Sequence, residues 1–366
     1  MGNWLSNLRR AGAVLAMGLT LAACGKKEEA AAPPPAKTDF TIGWTIYAGW
    51  MPWPYAEKAG IVDKWEKKYG ININVVQIND YVESLNQFTA GKLDGVTAAS
   101  MDALTLPAAS GHDSTVVIVG DYSNGNDGVV LKNGKSLADI KGRNVNLVEF
   151  SVSHYLLARA LESAKLAPTD IKTVNTSDAD IVASFGAPET KALVTWNPQL
   201  SEVKAMKGAT EVFDSSKIPG EILDLMVVGT DSLKSNPNLG KALAGIWYET
   251  MAIMSAQTPE GAEARKVMGE LSGTDLAGYE SQLKTTFMYY KAADAVAFTQ
   301  SADIVAGMDK VRQFSFANGL FGEGATSVDA LGISFPGGKT LGSADNIKLR
   351  FDDTYMAEAA SGALDK

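Results

Sequence analysis

The sequence predicts an α/β fold of two lobes, with mostly parallel sheets flanked by helices and a cleft between the lobes. From about residue 71, short apolar runs that are typical of buried strands alternate with stretches of helical periodicity. Alternation of this kind favours parallel strands with helices on the faces of the sheet. The segments 121–128 and 223–229 look like crossings between lobes, and 366 residues are enough for two domains of ordinary size.

The first predicted strand, from about residue 40 to 47, ends in a loop that is crowded with aromatic side chains. Trp50 and Trp53 stand in this loop, and Gly49 and Pro52 interrupt any helix there. In open α/β sheets, ligands bind outside the carboxyl ends of the strands. We therefore expect Trp50 and Trp53 to line a binding box, with packing into the core as the alternative for each indole.

The later elements follow the same alternating pattern. Strands are predicted at 71–78, 95–99, 116–120, 145–148, 171–174, 192–195 and 210–213, and helices at 80–90, 100–109, 152–164, 239–255, 261–271 and 302–317. This order assigns residues 39–124 and 229–366 to lobe 1 and residues 125–228 to lobe 2.

The N-terminus has the pattern of a bacterial lipoprotein export signal. Arg9 and Arg10 precede an apolar run that ends in Leu21-Ala22-Ala23-Cys24. The run is too short to span a bilayer, so residues 1–23 are predicted to be a cleaved signal. Cys24 is the predicted lipid-attachment site, and residues 24–38 form a tether. The sequence thus predicts a protein held at a membrane by its lipid.

Composition and residue types argue against several classes of function. A net charge of −9 argues against nucleic acid as a partner. The chain has two histidines, His112 and His154, and one cysteine, without a metal-spaced cluster or a nucleophile motif. We therefore predict no catalytic residues, no metal, no cofactor and no enzymatic activity.

Acidic residues recur in every loop that is predicted to face the cleft, whereas lysine and arginine are nearly missing there. The acids are Asp102, Asp121, Asp127, Glu149, Asp214, Glu221 and Asp224. Acidic and aromatic walls suit a small cation, or a neutral molecule rich in hydrogen-bond donors. We expect Asp102, with Ser100 before it, and Asp127, Glu149 and Asp224 to contact the ligand; solvated loop caps are the alternative.

The turn from Glu149 to His154 joins the end of a strand to the start of a helix. Such a turn points backbone N–H groups at the cleft, and Ser151 and His154 are the candidate ligand contacts there. Ser151 also fits an ordinary helix N-cap. Glu149 beside the helix N-terminus cancels the positive end of the helix dipole, so the turn is poorly suited to an anion.

Four motifs resemble the periplasmic binding proteins of the nitrate, sulfonate and taurine ABC transporter family. They are Gly91-Lys92-Leu93-Asp94, the segment 136–142, the segment 151–157 and Trp196-Asn197-Pro198. The closing segment 342–360 is similar to the branch associated with urea carboxylase. The resemblance implies a type II-like periplasmic binding protein that delivers a ligand to a membrane permease. It also places Ser151, His154 and Trp196 at the cleft.

The ligand expected from this branch is guanidinium or urea, and the missing cationic partner in the cleft favours guanidinium. Urea, another amide or amidine, and a taurine, sulfonate or nitrate ligand remain as alternatives. A remote alternative is an enzyme similar to the thiamine-pyrimidine synthases of this family, which use histidine and cysteine. The lipoprotein signal and the lack of an internal cysteine argue against it, so a monomeric, lipid-anchored periplasmic binding protein is expected.

Overall fold

The computed structural model describes residues 36–365. The predicted signal 1–23, the predicted lipid-attachment residue Cys24 and most of the predicted tether 24–38 lie outside the described residues. No helix in the described part of the chain is long and apolar enough to cross a membrane.

The strands of residues 36–365 form two sheets, of nine and five strands. The strands are β1 (Asp39–Trp44), β2 (Asn72–Gln77), β3 (Gly95–Ala99), β4 (Ser114–Ser123), β5 (Asp127–Lys132), β6 (Asn144–Leu147), β7 (Lys172–Asn175), β8 (Ala192–Trp196), β9 (Ala209–Asp214), β10 (Leu223–Gly229), β11 (Thr286–Met288), β12 (Gly332–Ser334), β13 (Thr340–Leu341) and β14 (Ile347–Phe351). The large sheet has the order β13-β12-β14-β4-β10-β3-β1-β2, with β11 beside β4, and the small sheet has the order β7-β6-β8-β5-β9.

Helices cover the faces of both sheets. They are α1 (Pro52–Lys58), α2 (Ile61–Tyr69), α3 (Tyr81–Thr89), α4 (Ser100–Ala103), α5 (Val152–Ser163), α6 (Ile181–Gly186), α7 (Gln199–Lys204), α8 (Thr230–Ser235), α9 (Asn238–Ser255), α10 (Pro259–Leu271), α11 (Leu276–Leu283), α12 (Ala292–Thr299), α13 (Ala302–Ala317) and α14 (Thr354–Ala360). The Asp80 side chain caps α3 by accepting a hydrogen bond from the Glu83 N–H. The helix predicted over 100–109 is α4 followed by a π-helical turn at Leu104–Ala108.

The chain passes between the sheets twice. It leaves the large sheet after β4 and enters the small sheet at β5, inside the predicted crossing 121–128. The return lies at residues 215–222, not at the predicted 223–229. Residues 223–229 instead form β10, which is buried along its whole length between β3 and β4. An apolar run fits a connecting strand and a central strand equally well, so the boundary predicted at 228 moves to about 222.

The two-lobed α/β architecture is confirmed, but the sheets are mixed rather than mostly parallel. β10 runs antiparallel to β3 and β4, and β5 runs antiparallel to β8 and β9. Each of these two strands follows a crossing from the other lobe. It therefore enters its sheet without the helical crossover connection that imposes parallel pairing.

An ion cluster around the buried Glu221 joins the two lobes at the return crossing. The Glu221 carboxylate accepts hydrogen bonds from the Tyr155 hydroxyl at 2.6 Å and the Arg159 Nε at 2.8 Å, both on α5 of lobe 2. It also accepts one from the Lys310 Nζ at 2.6 Å, on α13 of lobe 1. Because Glu221 is buried and has partners from both lobes, the cluster stabilises the closed arrangement of the lobes.

Gly245 allows α9 to pack closely on α2, which gives a test of the core of lobe 1. A Cβ at Gly245 would lie 2.5 Å from atoms of the buried Trp65 ring. We expect Gly245→Ala to destabilise the protein by about 1–3 kcal/mol, since the ring has to move in a packed core. Gly186→Ala is the matched control because no atom lies within 4 Å of its added Cβ. Thermal unfolding should show a lower midpoint for Gly245→Ala alone; equal midpoints would contradict this packing.

Candidate functional site

A small cavity lies between the two lobes, where ends of strands from both sheets meet. Its lining residues are Tyr47, Trp50, Tyr81, Ala99, Ile222 and Asp224, together with Asp127, Val152 and Trp196 of lobe 2. The cavity has a volume of about 20 Å³, and a cavity needs roughly 10–15 Å³ to hold one water molecule. This arrangement therefore has room for about one water molecule, and a ligand of a few heavy atoms requires the lining side chains to move outward.

Four aromatic rings form a continuous wall around the cavity. Tyr47 contacts Trp50 edge-on with ring centroids 4.9 Å apart, and Trp50 lies 5.7 Å from Tyr81. Tyr81 in turn meets Trp196 edge-on at 5.8 Å, which links lobe 1 to lobe 2. Because all four rings are buried, their faces offer a dry surface for a planar molecule or a cation.

The local structure after β1 and β2 sets the positions of these rings. Trp50 ends a short 3₁₀ turn, in which its N–H donates to the Tyr47 carbonyl at 2.9 Å. Gly49 in this turn has no side chain, and a Cβ there would lie 2.4 Å from Asp121 Oδ2. Tyr81 is the first residue of α3, directly after the Asp80 cap. Both aromatic groups thus follow the carboxyl end of a strand.

Two buried carboxyl groups line the cavity, one from each lobe. Asp127 begins β5 and pairs in register with Trp196 at the end of β8. Asp224 lies in β10, where its register partners are Asp121 of β4 and Ala99 of β3. Since cross-strand partners project from the same face of a sheet, the pairing brings Asp121 and Asp224 close together.

Two further carboxyl groups lie behind the tyrosines of the wall. The Tyr81 hydroxyl donates to Asp102 Oδ2 at 2.7 Å, and the Tyr47 hydroxyl donates to Asp121 Oδ1 at 2.9 Å. Asp102 and Asp121 are fully buried. The site thus holds four carboxyl groups, two at the cavity and two behind it.

No basic side chain balances these acids. Among residues 36–365, none of the ion pairs involves Asp102, Asp121, Asp127 or Asp224. Buried atoms without a hydrogen-bond partner include Asp102 Oδ1, Asp121 Oδ2 and Asp224 Oδ2, and one donor, Trp50 Nε1. Burying a carboxylate without a partner costs free energy. The negative charge of this cluster is therefore compensated only when a cation is bound or when protons are bound to the carboxyl groups.

Burial raises the pKa of each carboxyl group in the cluster. It raises the pKa of Asp102 to about 7, although hydrogen bonds from Tyr81 and the Val152 N–H act in the opposite direction. Burial likewise raises the pKa of Asp127 to about 7. The pKa of Asp121 is raised by burial too, and that of Asp224 is raised well above its usual range by burial and the neighbouring Asp121. A cation would favour the ionised forms.

The structure brings seven of the ten residues predicted for the cleft to this place. Trp50, Asp127, Trp196 and Asp224 line the cavity, and Ser100, Asp102 and Ser151 are buried around it. Ser100 Oγ accepts a hydrogen bond from the Leu223 N–H at 3.4 Å. Ser151 caps α5: its hydroxyl donates to the Val148 carbonyl and accepts from the Ser153 N–H.

Three predicted residues do not line the cavity. Trp53 is in the core, with its ring centroid 5.3 Å from that of Trp247, because α1 turns it toward α9. Glu149 is partly exposed and does not line the cavity, although Val152 at the end of the same turn does. His154 packs between Phe150 and Phe314 instead.

Tyr47, Tyr81 and Asp121 belong to the site but were not among the predicted contacts. Tyr47 stood in the aromatic loop and Asp121 in the acidic set, so a signal existed for both. Tyr81 follows the cap of a helix that begins after a strand, which is a position facing the cleft. Pairing of each tyrosine with a particular carboxyl group depends on strand order, which the sequence did not give.

The architecture and the interlobe cavity define the fold of the two-lobed periplasmic binding proteins. Residues 33–269 match the NMT1-like family, and the chain belongs to that family. A curated protein of Escherichia coli, provisionally named as an aliphatic sulfonates-binding protein, is 30% identical over 178 residues. That match covers 46% of this chain and 53% of the E. coli protein, so the chain spans about half the length of this relative.

Solved structures show the same fold. The alkanesulfonate-binding protein SsuA from Xanthomonas axonopodis pv. citri, bound to MOPS, aligns with a TM-score of 0.64 and 17% identity, over 80% of this chain and 96% of that one. The periplasmic nitrate-binding protein NrtA from Synechocystis PCC 6803 aligns with a TM-score of 0.63 and 13% identity, over 90% and 89%. The desulfurization enzyme DSZB also shares the fold, at a TM-score of 0.55 and 15% identity, over 78% of this chain and 93% of that one.

The raised pKa values predict how the stability of the ligand-free protein depends on pH. Folded Asp102 and Asp127 keep protons up to about pH 7, whereas the unfolded chain loses them near pH 4. The folded state therefore binds more protons between these values, and the contribution of each group to stability falls as pH rises from about 4 to 7.

Asp127→Asn should remove one of these contributions, on the order of 2–4 kcal/mol, because the amide does not ionise. We expect the unfolding midpoint of this variant to fall less between pH 5 and 8 than that of the unsubstituted protein. Asp231→Asn is the control, since the Asp231 side chain is 93% exposed, and it should follow the unsubstituted protein. Parallel curves for all three proteins would show that Asp127 titrates normally.

Proposed function

We propose that this protein is the substrate-binding component of an ABC importer and that it captures guanidinium in the interlobe cavity for delivery to a membrane permease. The observation that carries the proposal is a cavity with two buried carboxyl groups, two more behind it, four aromatic rings and no basic lining residue. The family and the fold support the general role of a binding protein.

Charge separates this protein from the relatives whose names refer to sulfonate or nitrate. An anion in this cavity would lie beside Asp127 and Asp224, and it would meet neither lysine nor arginine. Sites for sulfonate-like or nitrate-like anions normally supply a cation or free N–H groups. A single positive charge instead compensates one of the buried carboxylates and removes part of the cost of burying the cluster.

The shape of the cavity supports a small planar ligand. Guanidinium has six N–H donors in one plane, which match the carboxylates of Asp127 and Asp224. Its flat faces can stack on Trp50 or Trp196, a cation–π contact worth about 0.5–2 kcal/mol. The small volume of about 20 Å³ also favours a ligand with few heavy atoms, because the longer chains of agmatine and taurine require a larger displacement of the lining residues than guanidinium does.

Urea is the second candidate, and one observation favours it. The buried Trp50 Nε1 has no hydrogen-bond partner, and the urea carbonyl could accept from it. Guanidinium has no acceptor and leaves this donor without a partner. The unpaired Asp224 Oδ2 at the cavity outweighs the indole donor, because an unpaired buried charge costs more than an unpaired neutral group.

The test is isothermal titration of the mature protein with guanidinium, urea, agmatine, nitrate and taurine at concentrations below 1 mM. At a pH well above 7, where Asp127 is ionised, we expect guanidinium to bind roughly 100- to 1,000-fold more tightly than urea, because urea leaves a buried charge that costs about 3–5 kcal/mol. The margin should shrink as pH falls below about 7, where Asp127 takes up a proton. Equal affinities, or tighter binding of nitrate or taurine, would contradict the proposal.

Variants of the carboxyl groups make this test specific. Asp224→Asn and Asp127→Asn should weaken guanidinium far more than urea, since each removes a charge at the cavity. Glu149→Gln is the matched control: it also removes one carboxylate, but Glu149 does not line the cavity. An equal loss of guanidinium affinity in all three variants would indicate a general charge effect.

A periplasmic location and a lipid anchor complete the proposal. The export signal with Leu21-Ala22-Ala23-Cys24 supports lipid attachment at Cys24, and the similar nitrate-binding protein NrtA is periplasmic. An enzymatic role has less support, although DSZB shares the fold. Cys24 is the only cysteine of the sequence, and the described residues hold no group of side chains able to bind a metal.

Cys24→Ser should yield a protein that no longer sediments with membranes but still binds ligand. The reason is that the lipid supplies membrane affinity, while the cavity is built from residues beyond the tether. Fractionation of cells expressing each form, followed by titration of the soluble variant, measures both properties. A variant that stays in the membrane fraction would show that Cys24 is not the anchor.

A further inference from the structure

The hydrogen bond between Tyr47 and Asp121 fixes which polar atom Tyr47 can offer to a ligand. Tyr47 lines the cavity, and its hydroxyl donates to Asp121 Oδ1 at 2.9 Å. A hydroxyl group has one hydrogen and two acceptor lone pairs. The Asp224 carboxyl group also lies within hydrogen-bonding range of this hydroxyl. Since the hydrogen is engaged by Asp121 and a second carboxyl group lies beside it, the Tyr47 oxygen can act toward a ligand only as an acceptor.

Tyr81 differs from Tyr47 in this respect. Its hydroxyl donates to Asp102 at 2.7 Å and also accepts from the Ala99 N–H at 2.9 Å. Within residues 36–365, no group donates a hydrogen bond to the Tyr47 hydroxyl oxygen. Tyr47 therefore keeps more of its accepting capacity than Tyr81.

Asp121 is held in place without lining the cavity itself. It is fully buried in β4, opposite Asp224 of β10, and its Oδ2 atom has no hydrogen-bond partner. The absence of a side chain at Gly49 gives that oxygen its space. The charged groups that face Asp121 across the cluster are Asp224 and Asp127. No neighbouring cation competes with Tyr47 for this carboxylate among residues 36–365.

We propose that Asp121 is a specificity-determining positioning residue, which holds the Tyr47 hydroxyl as an acceptor so that the cavity favours N–H donors and rejects a carbonyl. With Asp127 and Asp224, this places acceptors around a ligand whose three nitrogens all donate. Urea would direct its carbonyl oxygen at one of these acceptors in every orientation except the one in which that oxygen meets the Trp50 indole N–H. The inference rests on the proposed guanidinium function and adds the residue that excludes urea.

The test measures the ratio of the urea Kd to the guanidinium Kd in four proteins: unsubstituted, Asp121→Asn, Tyr47→Phe and the double variant. An amide at position 121 can donate to the Tyr47 oxygen, which frees the hydroxyl hydrogen to meet a carbonyl. We expect the ratio to fall by about 10-fold or more in each single variant, the size of one hydrogen bond to a charged or buried partner.

The double variant separates positioning from loss of charge. If Asp121 acts through Tyr47, then Asp121→Asn should change the ratio less than about 3-fold when position 47 is already phenylalanine. Equal changes in both backgrounds would show that Asp121 acts by its charge alone, and they would overturn the proposal. Asp102→Asn, which removes a buried charge behind Tyr81, is the matched comparison and should show no coupling with Tyr47→Phe.

Two outcomes distinguish this inference from the proposed function. If the unsubstituted protein fails to bind guanidinium, the proposed function itself is wrong. If it binds guanidinium and Tyr47→Phe leaves the ratio unchanged, only the role of Asp121 is wrong. The Tyr47→Phe measurement decides the matter even if Asp121→Asn does not fold, and circular dichroism of each variant identifies that case.

Discussion

The character of the binding site depends on the burial of four carboxyl groups in one cluster without a basic partner. Asp102, Asp121, Asp127 and Asp224 come from three strand ends and one helix start, and each is removed from water. Burial alone disfavours their ionised forms, which explains the raised pKa values. A protein that keeps such a cluster bears a continuous cost in stability. The cationic ligand proposed above would relieve that cost, because its charge compensates a buried carboxylate.

The topology of the fold makes this cluster possible. Because the chain crosses between the sheets twice, β10 enters the large sheet between β3 and β4 in the antiparallel sense. Asp224 at its start then meets the ends of β3 and β4, where Asp121 lies. Asp127 arrives from the other lobe directly after the first crossing. The acids therefore meet where the lobes join, and the Glu221 ion cluster holds the lobes together nearby.

Similarity to known proteins defines the fold of this chain, whereas the residues of the cavity bear on the ligand. The NMT1-like family and the solved sulfonate-binding and nitrate-binding structures share an architecture with this chain, at 17% identity or less for the two structures described above. Similarity at that level defines the fold, while the ligand is selected by a few side chains at the cavity. Here those side chains are acids and aromatic rings, so the charge of the site, rather than its ancestry, supports guanidinium.

The sequence by itself determined the α/β class, the two lobes, most strands and helices, and the acidic and aromatic character of the cleft, because periodicity and residue type are local properties. It did not determine the return crossing or the antiparallel course of β10, since an apolar run looks alike in either role. Trp50 and Trp53 were equivalent in sequence, yet α1 directs only Trp53 into the core. Likewise Glu149 was one acid among several in the sequence, yet it is partly exposed and does not line the cavity. Only the tertiary structure decided which acidic side chains are buried, because burial depends on the strands that pack beside each residue and not on its neighbours in the chain.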